Sequence, residues 1–439
     1  MKAFKKRLLP MLLALAMSLS LLPVTARADD TVREVYDVYQ GDGFYITATP
    51  FKINSNKYTM GNSTDHILDG RFHDGMYMVS TSRDCDENYV NREFINEFNF
   101  VDKNGNVLFP EGIFHYDWHI VNYGTKGDLS PSEGLIPYWD GESKDGGEIL
   151  MGFVDYNGRE VIPCQYRVSS VSPFHEGLAN VETAGRDKRE GFIDKSGSFV
   201  PELSSFQGSG DAFFSDGLVL CVERDYYGSG IWTYGYMDKS GNMVLKLCSY
   251  NPNETRGMGM NYWEMYAEGK MDGYLMPLIG RQSAFSDGYA VCYDLRSGNE
   301  KDYNFAIINK AGSVVGTFSG AKPEGGVASG GFHDGLLRVR FIDNRDNTAG
   351  YGFVDTSGNF VIREKNTANP TVDWSSRSNI YDYSCGLLAF GLFVVDTKGN
   401  IVIPRGAFTD IKKFDSNLSM AYLDTNLNPS HTPSCFSRT

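Results

Sequence analysis

The chain has 439 residues, a formal net charge of −14 and 41% hydrophobic residues, which suits a folded protein with a sizeable core. Such an acidic chain repels the phosphate backbone of nucleic acids, so no nucleic-acid partner is expected. The cysteines number seven and form no C-x-x-C pair, so they do not favour a disulfide framework.

The first 28 residues have the pattern of an export signal. A basic start from Lys2 to Arg7 precedes an apolar stretch, and the small residues of an A-x-A cleavage site follow at Ala26–Ala28. The apolar stretch is shorter than the roughly 20 residues that span a membrane, and no later segment is apolar enough to do so. We therefore predict a signal peptide over 1–28 and a secreted, extracellular or cell-surface location. Removing five basic and no acidic residues brings the mature charge to about −19.

Two phrases then alternate along the chain, after residues 29–45, which we expect to form a linker or a first strand. The first phrase is Phe-x-Asp/Glu-Gly-Leu-x-x-Val, as at 174–181, and it opens a strand. Its last position holds Val181 in this copy but Cys221 and Cys292 in two others, so we expect both cysteines to be small buried hydrophobic residues. The second phrase places Asp-x-x-Gly between two runs rich in β-branched residues, as at 152–163. Asp at the first turn position accepts backbone N–H groups, and Gly at the last position tolerates positive φ. The second phrase therefore predicts a β-hairpin.

The repeat period predicts the architecture of residues 46–423. Seven hairpin phrases recur with a unit of about 40–45 residues plus insertions, and each unit holds about four strands. This pattern favours an all-β fold, a seven-bladed β-propeller of four-stranded blades. A leftover strand phrase at 414–421 would close the ring by pairing with the other end of the chain. An open β-solenoid is the alternative, because the spacings are uneven.

The paired phrases resemble the WG-repeat family of bacterial proteins over about residues 70–422. The Trp that names the family is absent here, since the residues before the glycine read Met151-Gly152, Glu190-Gly191, Tyr234-Gly235 and Tyr351-Gly352. The resemblance implies a propeller-like β scaffold that is used for binding. It brings no catalytic residues and no cofactor to this chain.

One unit is 71 residues long because of an insertion at about 246–284, which is the candidate binding surface. Aromatic residues and methionines are enriched where proteins bind partners, and loops inserted in a rigid scaffold often carry function. The alternative is a local cap whose aromatic side chains bury themselves. The candidate binding residues are Tyr262, Trp263, Tyr266 and Tyr274.

The segment from His115 to His119 is a candidate metal site. On a β-strand, His115, Asp117 and His119 would face the same way and offer the ligand types of zinc and non-haem iron sites. Same-face neighbours lie about 6.5–7 Å apart along a strand, which is awkward for three ligands of one ion without a bulge. A half-buried strand explains the same alternation.

The sequence contains no nucleophile elbow, no H-E-x-x-H and no phosphate-binding glycine loop, so we do not expect an enzyme. We predict an exported, non-catalytic scaffold whose loops bind another protein or a cell-surface polymer. The alternatives are a secreted propeller enzyme that acts on glycans and a structural cell-surface component. Residues 424–439 are polar and lack strand periodicity, so we expect a polar tail there.

Overall fold

The computed structural model of the protein describes most of the repeat region and both of its ends. The described residues are 36–41, 44–60, 71–81, 96–116, 130–141, 143–144, 148–185, 188–207, 212–225, 227–255, 260–278, 283–297, 304–323, 331–342, 349–363, 384–389, 393–403, 408–409, 411–415, 417–423 and 433–438. All structural statements below concern these residues.

The described chain is almost entirely β-structure. The first strands, in chain order, are β1 (Tyr36–Gly41), β2 (Phe44–Pro50), β3 (Tyr58–Thr59), β4 (Phe72–His73), β5 (Met76–Thr81), β6 (Asn96–Val101), β7 (Phe114–Tyr116), β8 (Leu135–Tyr138), β9 (Ser143–Lys144), β10 (Glu148–Asp155), β11 (Glu160–Arg167), β12 (Leu178–Glu182), β13 (Glu190–Asp194), β14 (Leu218–Arg224), β15 (Trp232–Asp238) and β16 (Met243–Tyr250). The remaining strands are β17 (Met271–Asp272), β18 (Leu275–Pro277), β19 (Tyr289–Asp294), β20 (Phe305–Asn309), β21 (Val314–Phe318), β22 (Ala321–Pro323), β23 (Phe332–His333), β24 (Leu336–Ile342), β25 (Ala349–Asp355), β26 (Phe360–Arg363), β27 (Leu387–Ala389), β28 (Val394–Asp396), β29 (Ile401–Ile403), β30 (Phe408–Thr409), β31 (Leu418–Leu423) and β32 (Pro433–Arg438). Two short α-helices, α1 (Pro252–Thr255) and α2 (Tyr262–Ala267), and 3₁₀ turns at Pro201–Leu203 and Leu295–Ser297 complete the described elements.

The strands form successive antiparallel sheets, six of which have the four or five strands of a full propeller blade. Each blade is named below by its first strand. The full blades are β3–β5–β6–β7 with β4, β8–β10–β11 with β9, β14–β15–β16–β17, β18–β19–β20–β21, β22–β24–β25–β26 with β23, and β1–β2–β32–β31–β30.

The all-β propeller is confirmed, but the predicted number of seven blades is wrong. The prediction assigned one full blade to each Asp-x-x-Gly hairpin. Two of the seven hairpins, at Asp194 and Asp396, belong to smaller described sheets, β12–β13 and β27–β28–β29. Five hairpins therefore belong to full blades, and the sixth full blade is built from the two ends of the chain.

Strands from both ends of the chain close the ring. Strand β2 pairs antiparallel with β32, with Ile46 opposite Arg438, and β32 pairs in turn with β31. The leftover strand phrase thus lies in the closing sheet, as predicted, and the ring is not an open solenoid. Strand β32 lies in the segment 424–439, whose polar pattern predicts no strand. This segment forms a strand because β2 and β31 pair with it on both sides, and not because its own sequence has a strand periodicity.

The first side chain of each Asp-x-x-Gly hairpin holds the turn. In the turn of Asp155, Oδ1 accepts the backbone N–H groups of Asn157 and Arg159 at 2.8 and 2.9 Å. The same two bonds, from residues i+2 and i+4, form at the turns that begin at Asp102, Asp155, Asp194, Asp238, Asn309, Asp355 and Asp396. The predicted turn role of these residues is confirmed.

The hairpin glycine also brings neighbouring units together. Gly241 has a φ of 78°, and a Cβ added to it would lie 1.9 Å from the backbone oxygen of Glu202 in the preceding unit. Only glycine combines this left-handed conformation with so close an approach.

The Asp/Glu-Gly turns of the first phrase link each unit to the next. The carboxylate of Glu133 accepts the backbone N–H of Gly177 at 2.8 Å and that of Glu176 beside it, both in the turn of the following unit. Equivalent carboxylate–amide bonds join Glu176 to Gly217, Asp216 to Gly288, Asp287 to Gly335 and Asp334 to Gly386. The repeated acidic residues therefore connect units, and each is already engaged by the backbone.

Hydrophobic clusters lie between neighbouring sheets and complete the core. Leu218 and Tyr236 of the β14 blade pack against Phe285 and Ala290 of the next unit. Cys292 belongs to the same cluster and is 0% exposed, as predicted for a small hydrophobic residue in this repeat position.

Candidate functional site

The predicted metal residues lie only partly within the described chain. The ring of His115, on β7, lies edge-on to Trp139 with the centroids 6.4 Å apart, and its Nδ1 is buried without a hydrogen-bond partner in the described part of the chain. Asp117 and His119 lie outside the described residues, so the three-residue site stays a prediction. Within the described part of the chain, no three His, Cys, Asp or Glu side chains lie together as potential metal ligands.

The insertion adds α1, α2, β17 and β18 between β16 and β19. Helix α2 begins with a capping box, in which Asn261 Oδ1 accepts the N–H of Glu264 at 2.9 Å and Glu264 Oε2 accepts the N–H of Asn261 at 3.0 Å. A six-residue helix is not stable alone in water, so α2 depends on this cap and on the side chains that it buries, Trp263 and Met265.

A separate hydrophobic cluster lies beneath α2 and is called the cap cluster below. Trp263 is 6% exposed, and its ring meets Tyr293 edge-on with the centroids 5.2 Å apart. The indole Nε1 of Trp263 is buried and has no hydrogen-bond partner among the described residues. Burial raises the pKa of the Cys248 thiol to about 12, so this thiol stays protonated. The cap cluster consists of Cys248, Trp263, Met265, Met271, Met276 and Leu295.

The structure brings three of the four predicted binding residues together. Tyr262 and Tyr266 are half-buried against the cap cluster that contains Trp263. Tyr274 packs instead against the core between the β14 and β18 blades, with the guanidinium of Arg296 over its ring at 4.0 Å. Trp263 is thus a core residue of the insertion, and among the three grouped residues only the tyrosines retain partial exposure.

Half-buried aromatic side chains form a row across the β14 blade, which we call the aromatic row. Trp232 lies opposite Tyr250 in the register of β15 and β16, with ring centroids 6.3 Å apart. Tyr250 meets Tyr262 of α2 at 6.2 Å, and Tyr234 stacks on Tyr250 at 6.1 Å with 7° between the ring planes. The aromatic row therefore consists of Trp232, Tyr234, Tyr250 and Tyr262, and it connects the repeat scaffold to the insertion.

Polar groups at one end of the aromatic row are held in place. The guanidinium of Arg224 lies over the Trp232 ring at 4.9 Å, a cation–π contact. The following loop is closed by Asp225, whose carboxylate accepts the N–H groups of Gly228 and Ser229 at 2.8 and 2.7 Å. Asn251 Nδ2 donates to the Ser229 carbonyl at 3.2 Å and ties this loop to the start of the insertion. The row is thus flanked by an ordered loop.

The phenols of the row are neutral hydrogen-bonding groups. Burial raises the pKa of Tyr234, Tyr250 and Tyr262 above the ordinary tyrosine value. They therefore keep their O–H donors throughout the physiological pH range.

Sequence reasoning missed Trp232, Tyr234 and Tyr250 because they lie in repeat strands rather than in the insertion. A signal was present: Trp232 and Tyr234 alternate on a predicted strand, which places them on one face. Tyr250 follows the other arm of the same hairpin, where antiparallel pairing brings it opposite Trp232.

The WG containing repeat family matches residues 151–186 and 393–424 of this chain. Among curated proteins, none matches it. No helix in the described residues is long and apolar enough to cross a membrane.

Several solved structures are similar to this chain at low identity. BamB from Moraxella catarrhalis is 10% identical, with 87% of this chain and 99% of that chain covered and a TM-score of 0.33. Apo AztD from Citrobacter koseri is 8% identical, with 93% and 97% covered and a TM-score of 0.31. A structure from a study of two prolyl endopeptidases is 11% identical, with 80% of this chain and 52% of that chain covered and a TM-score of 0.39. These low scores carry no argument about the function of this chain.

Proposed function

Starting from a chain that contains WG repeats, as its two matched segments show, we propose an exported, non-catalytic propeller that binds a cell-surface polymer of the glycan class through the aromatic row. The observation that carries this proposal is the run of partly exposed rings from Trp232 through Tyr250 to Tyr262. The basic, apolar and A-x-A pattern of residues 1–28 supports export.

The dimensions of the row suit an extended chain better than a small compact ligand. Two ring-to-ring steps of 6.3 and 6.2 Å connect Trp232 to Tyr262, so the row extends over at most about 12.5 Å. Aromatic faces pack on the apolar C–H faces of sugar rings, and neutral phenols and amides match sugar hydroxyls. The ordered loop at Asp225 and the capping box at Asn261 hold both ends of the row before a ligand arrives, which lowers the entropic cost of binding.

We propose no catalytic role because the repeated acidic residues already accept hydrogen bonds from the backbone. Their carboxylates accept backbone N–H groups in turns and between units, as at Asp155 and Glu133. A glycoside hydrolase needs two carboxyl groups free to face the scissile bond. A scaffold that binds without cleaving is therefore the better supported function.

Binding to insoluble and soluble polysaccharides tests the proposal. The protein beginning at Asp29 is mixed with peptidoglycan, chitin and β-glucan, and the bound fraction is measured together with released reducing sugar. We expect retention by at least one polymer, no release of sugar, and an affinity at least tenfold lower in Trp232→Ala, since an aromatic side chain that anchors a ligand contributes about 2 kcal/mol or more.

Phe199→Ala is the matched control, because Arg189 lies over the Phe199 ring at 4.0 Å in a similar cation–π pair outside the row. Its affinity should equal that of the unchanged protein. Equal retention of the unchanged protein and Trp232→Ala, or no retention by any polymer, would remove the row as a glycan surface. Release of reducing sugar would establish the glycan-acting enzyme instead.

A further inference from the structure

Sulfur atoms gather in the cap cluster, against which the half-buried rings of Tyr234, Tyr250 and Tyr262 pack. The Cys248 thiol donates to the thioether of Met276, with 3.5 Å between Sγ and Sδ. Both side chains are buried, at 0% and 2% exposure. Met265 and Met271 belong to the same cluster, so four sulfur atoms come from β16, α2, β17 and β18.

This combination of donors has a defined metal preference. Thiolate and thioether ligands are soft and select Cu(I), whereas imidazole and carboxylate groups suit harder ions. Two sulfurs that share one ion at about 2.3 Å, the usual length of a metal–thiolate bond, lie about 3.8 Å apart at a tetrahedral angle. The observed 3.5 Å between Cys248 and Met276 therefore needs only a small adjustment.

We propose that the cap cluster is a binding site for one Cu(I) ion, held by Cys248 Sγ, by Met276 Sδ and by a third sulfur from Met265 or Met271. The ion displaces the thiol proton of Cys248, so that one S–H bond breaks, one S–Cu bond forms and one proton is released to solvent. No change in oxidation state accompanies this exchange. The site is distinct from the polymer-binding row because its sulfur ligands are buried, although Tyr262 of the row packs against the same cluster.

One feature of the cap cluster favours the displacement of α2. Trp263 of α2 packs in the same cluster as the sulfurs, and its buried Nε1–H has no acceptor among the described residues. An unsatisfied buried donor disfavours the packing that contains it. Helix α2 has only six residues, so displacing it exposes the sulfurs without disturbing the strands of the blade. The acidic charge of the chain attracts cations towards it.

Competition for Cu(I) tests this site in the whole protein beginning at Asp29. The reduced, copper-free protein is titrated against the Cu(I) complex of bicinchoninic acid, and the transferred copper is measured. We expect about one equivalent to transfer to the unchanged protein. Met276→Leu conserves volume and keeps the thiol, and we expect it to lower the affinity at least tenfold. Cys248→Ala should lose the tight equivalent.

Cys292→Ala is the control, since Cys292 is also 0% exposed but lies in a cluster without methionine. It should bind Cu(I) like the unchanged protein. Unchanged affinity in Met276→Leu, an equal loss in Cys292→Ala, or failure of the unchanged protein to take copper from the competitor would each overturn the proposal. Circular dichroism of every variant establishes that the fold is intact. The double variant Met265→Leu/Met271→Leu, also volume-conserving, replaces Met276→Leu if that variant does not fold, and unchanged affinity in it would equally overturn the proposal.

Discussion

The repeat turns and the insertion use similar polar and aromatic residues in opposite ways. In the turns, side chains are engaged by backbone amides of the same or the next unit, as with Asp155 and Glu133. In the insertion, aromatic side chains contact other side chains, including those of the neighbouring strands, as Trp263 does with Tyr293 of β19. The turn residues are therefore committed to the scaffold, whereas the insertion and its neighbouring strands offer half-buried rings, buried thioethers and a buried donor without an acceptor among the described residues.

The two regions should also differ in how much a single substitution destabilises the rest of the protein. A substitution in the repeat core should have the largest effect on the free energy of unfolding. Phe153 is 0% exposed in the core shared by several sheets, and Phe153→Ala should lower the free energy of unfolding by about 3–5 kcal/mol. Trp263→Ala removes a side chain of the separate cap cluster. It should unfold α2 locally and leave the main thermal transition within about 1 kcal/mol of its original stability.

Thermal denaturation and amide hydrogen exchange separate these outcomes. Exchange should accelerate in residues 262–267 of Trp263→Ala while β15 keeps its protection. If both variants lower the main transition equally, the insertion belongs to the cooperative unit of the propeller and the contrast between the regions fails.

A second test compares two glycines of the repeat, one in close contact and one not. Gly241→Ala adds a Cβ 1.9 Å from the Glu202 carbonyl at a φ of 78°, so clash and strain together should cost about 2–5 kcal/mol. Gly177 has a φ of 85°, and no atom of the described residues lies within 4 Å of a Cβ added to it. In Gly177→Ala, backbone strain alone should therefore cost about 1–2 kcal/mol. Urea denaturation measures both. Equal losses would show that contact between units contributes nothing at Gly241.

The carboxylate links between units predict a loss of stability in acid. Burial alone would raise the pKa of Glu133, but hydrogen bonds from Gly177, Lys195 and Glu176 outweigh it and lower the pKa below its ordinary value. The link is therefore fully formed above about pH 4.3, the ordinary glutamate pKa, and is lost as the pH falls through the lower folded value.

Glu133→Gln should cost about 1–2 kcal/mol at pH 7, at the low end for a charged hydrogen bond because the side chain is partly exposed, and the difference should shrink as the pH falls below the ordinary glutamate pKa. Glu268→Gln in the insertion is the control, since the Glu268 side chain is 59% exposed and its ion pair with Lys270 is 4.0 Å long. Denaturation midpoints between pH 3 and 7 measure both variants. A constant difference across this range would contradict the assigned role of Glu133.

The sequence predicted the features that repeat and missed those created by pairing. The turn role of Asp155 and the buried position of Cys292 follow from patterns that recur in every unit. The blade number does not, because the hairpin of Asp194 has the full local pattern but a smaller described sheet. The aromatic row was missed because Trp232 and Tyr250 become neighbours only through strand register, which sequence spacing alone does not reveal.

Removal of the capping box of α2 should have the smallest effect. It tests the difference between the repeat turns and the insertion within a single helix. Asn261→Ala removes the acceptor for the Glu264 N–H, which should destabilise α2 by about 1 kcal/mol and accelerate its amide exchange roughly fivefold. Asn359→Ala in a repeat turn is the matched control, because the backbone N–H of Asn359 still donates to Asp355. Because α2 carries Tyr262, polymer affinity should fall in Asn261→Ala and stay unchanged in Asn359→Ala. An unchanged affinity with a loosened α2 would restrict the binding surface to Trp232 and Tyr250 on the blade itself.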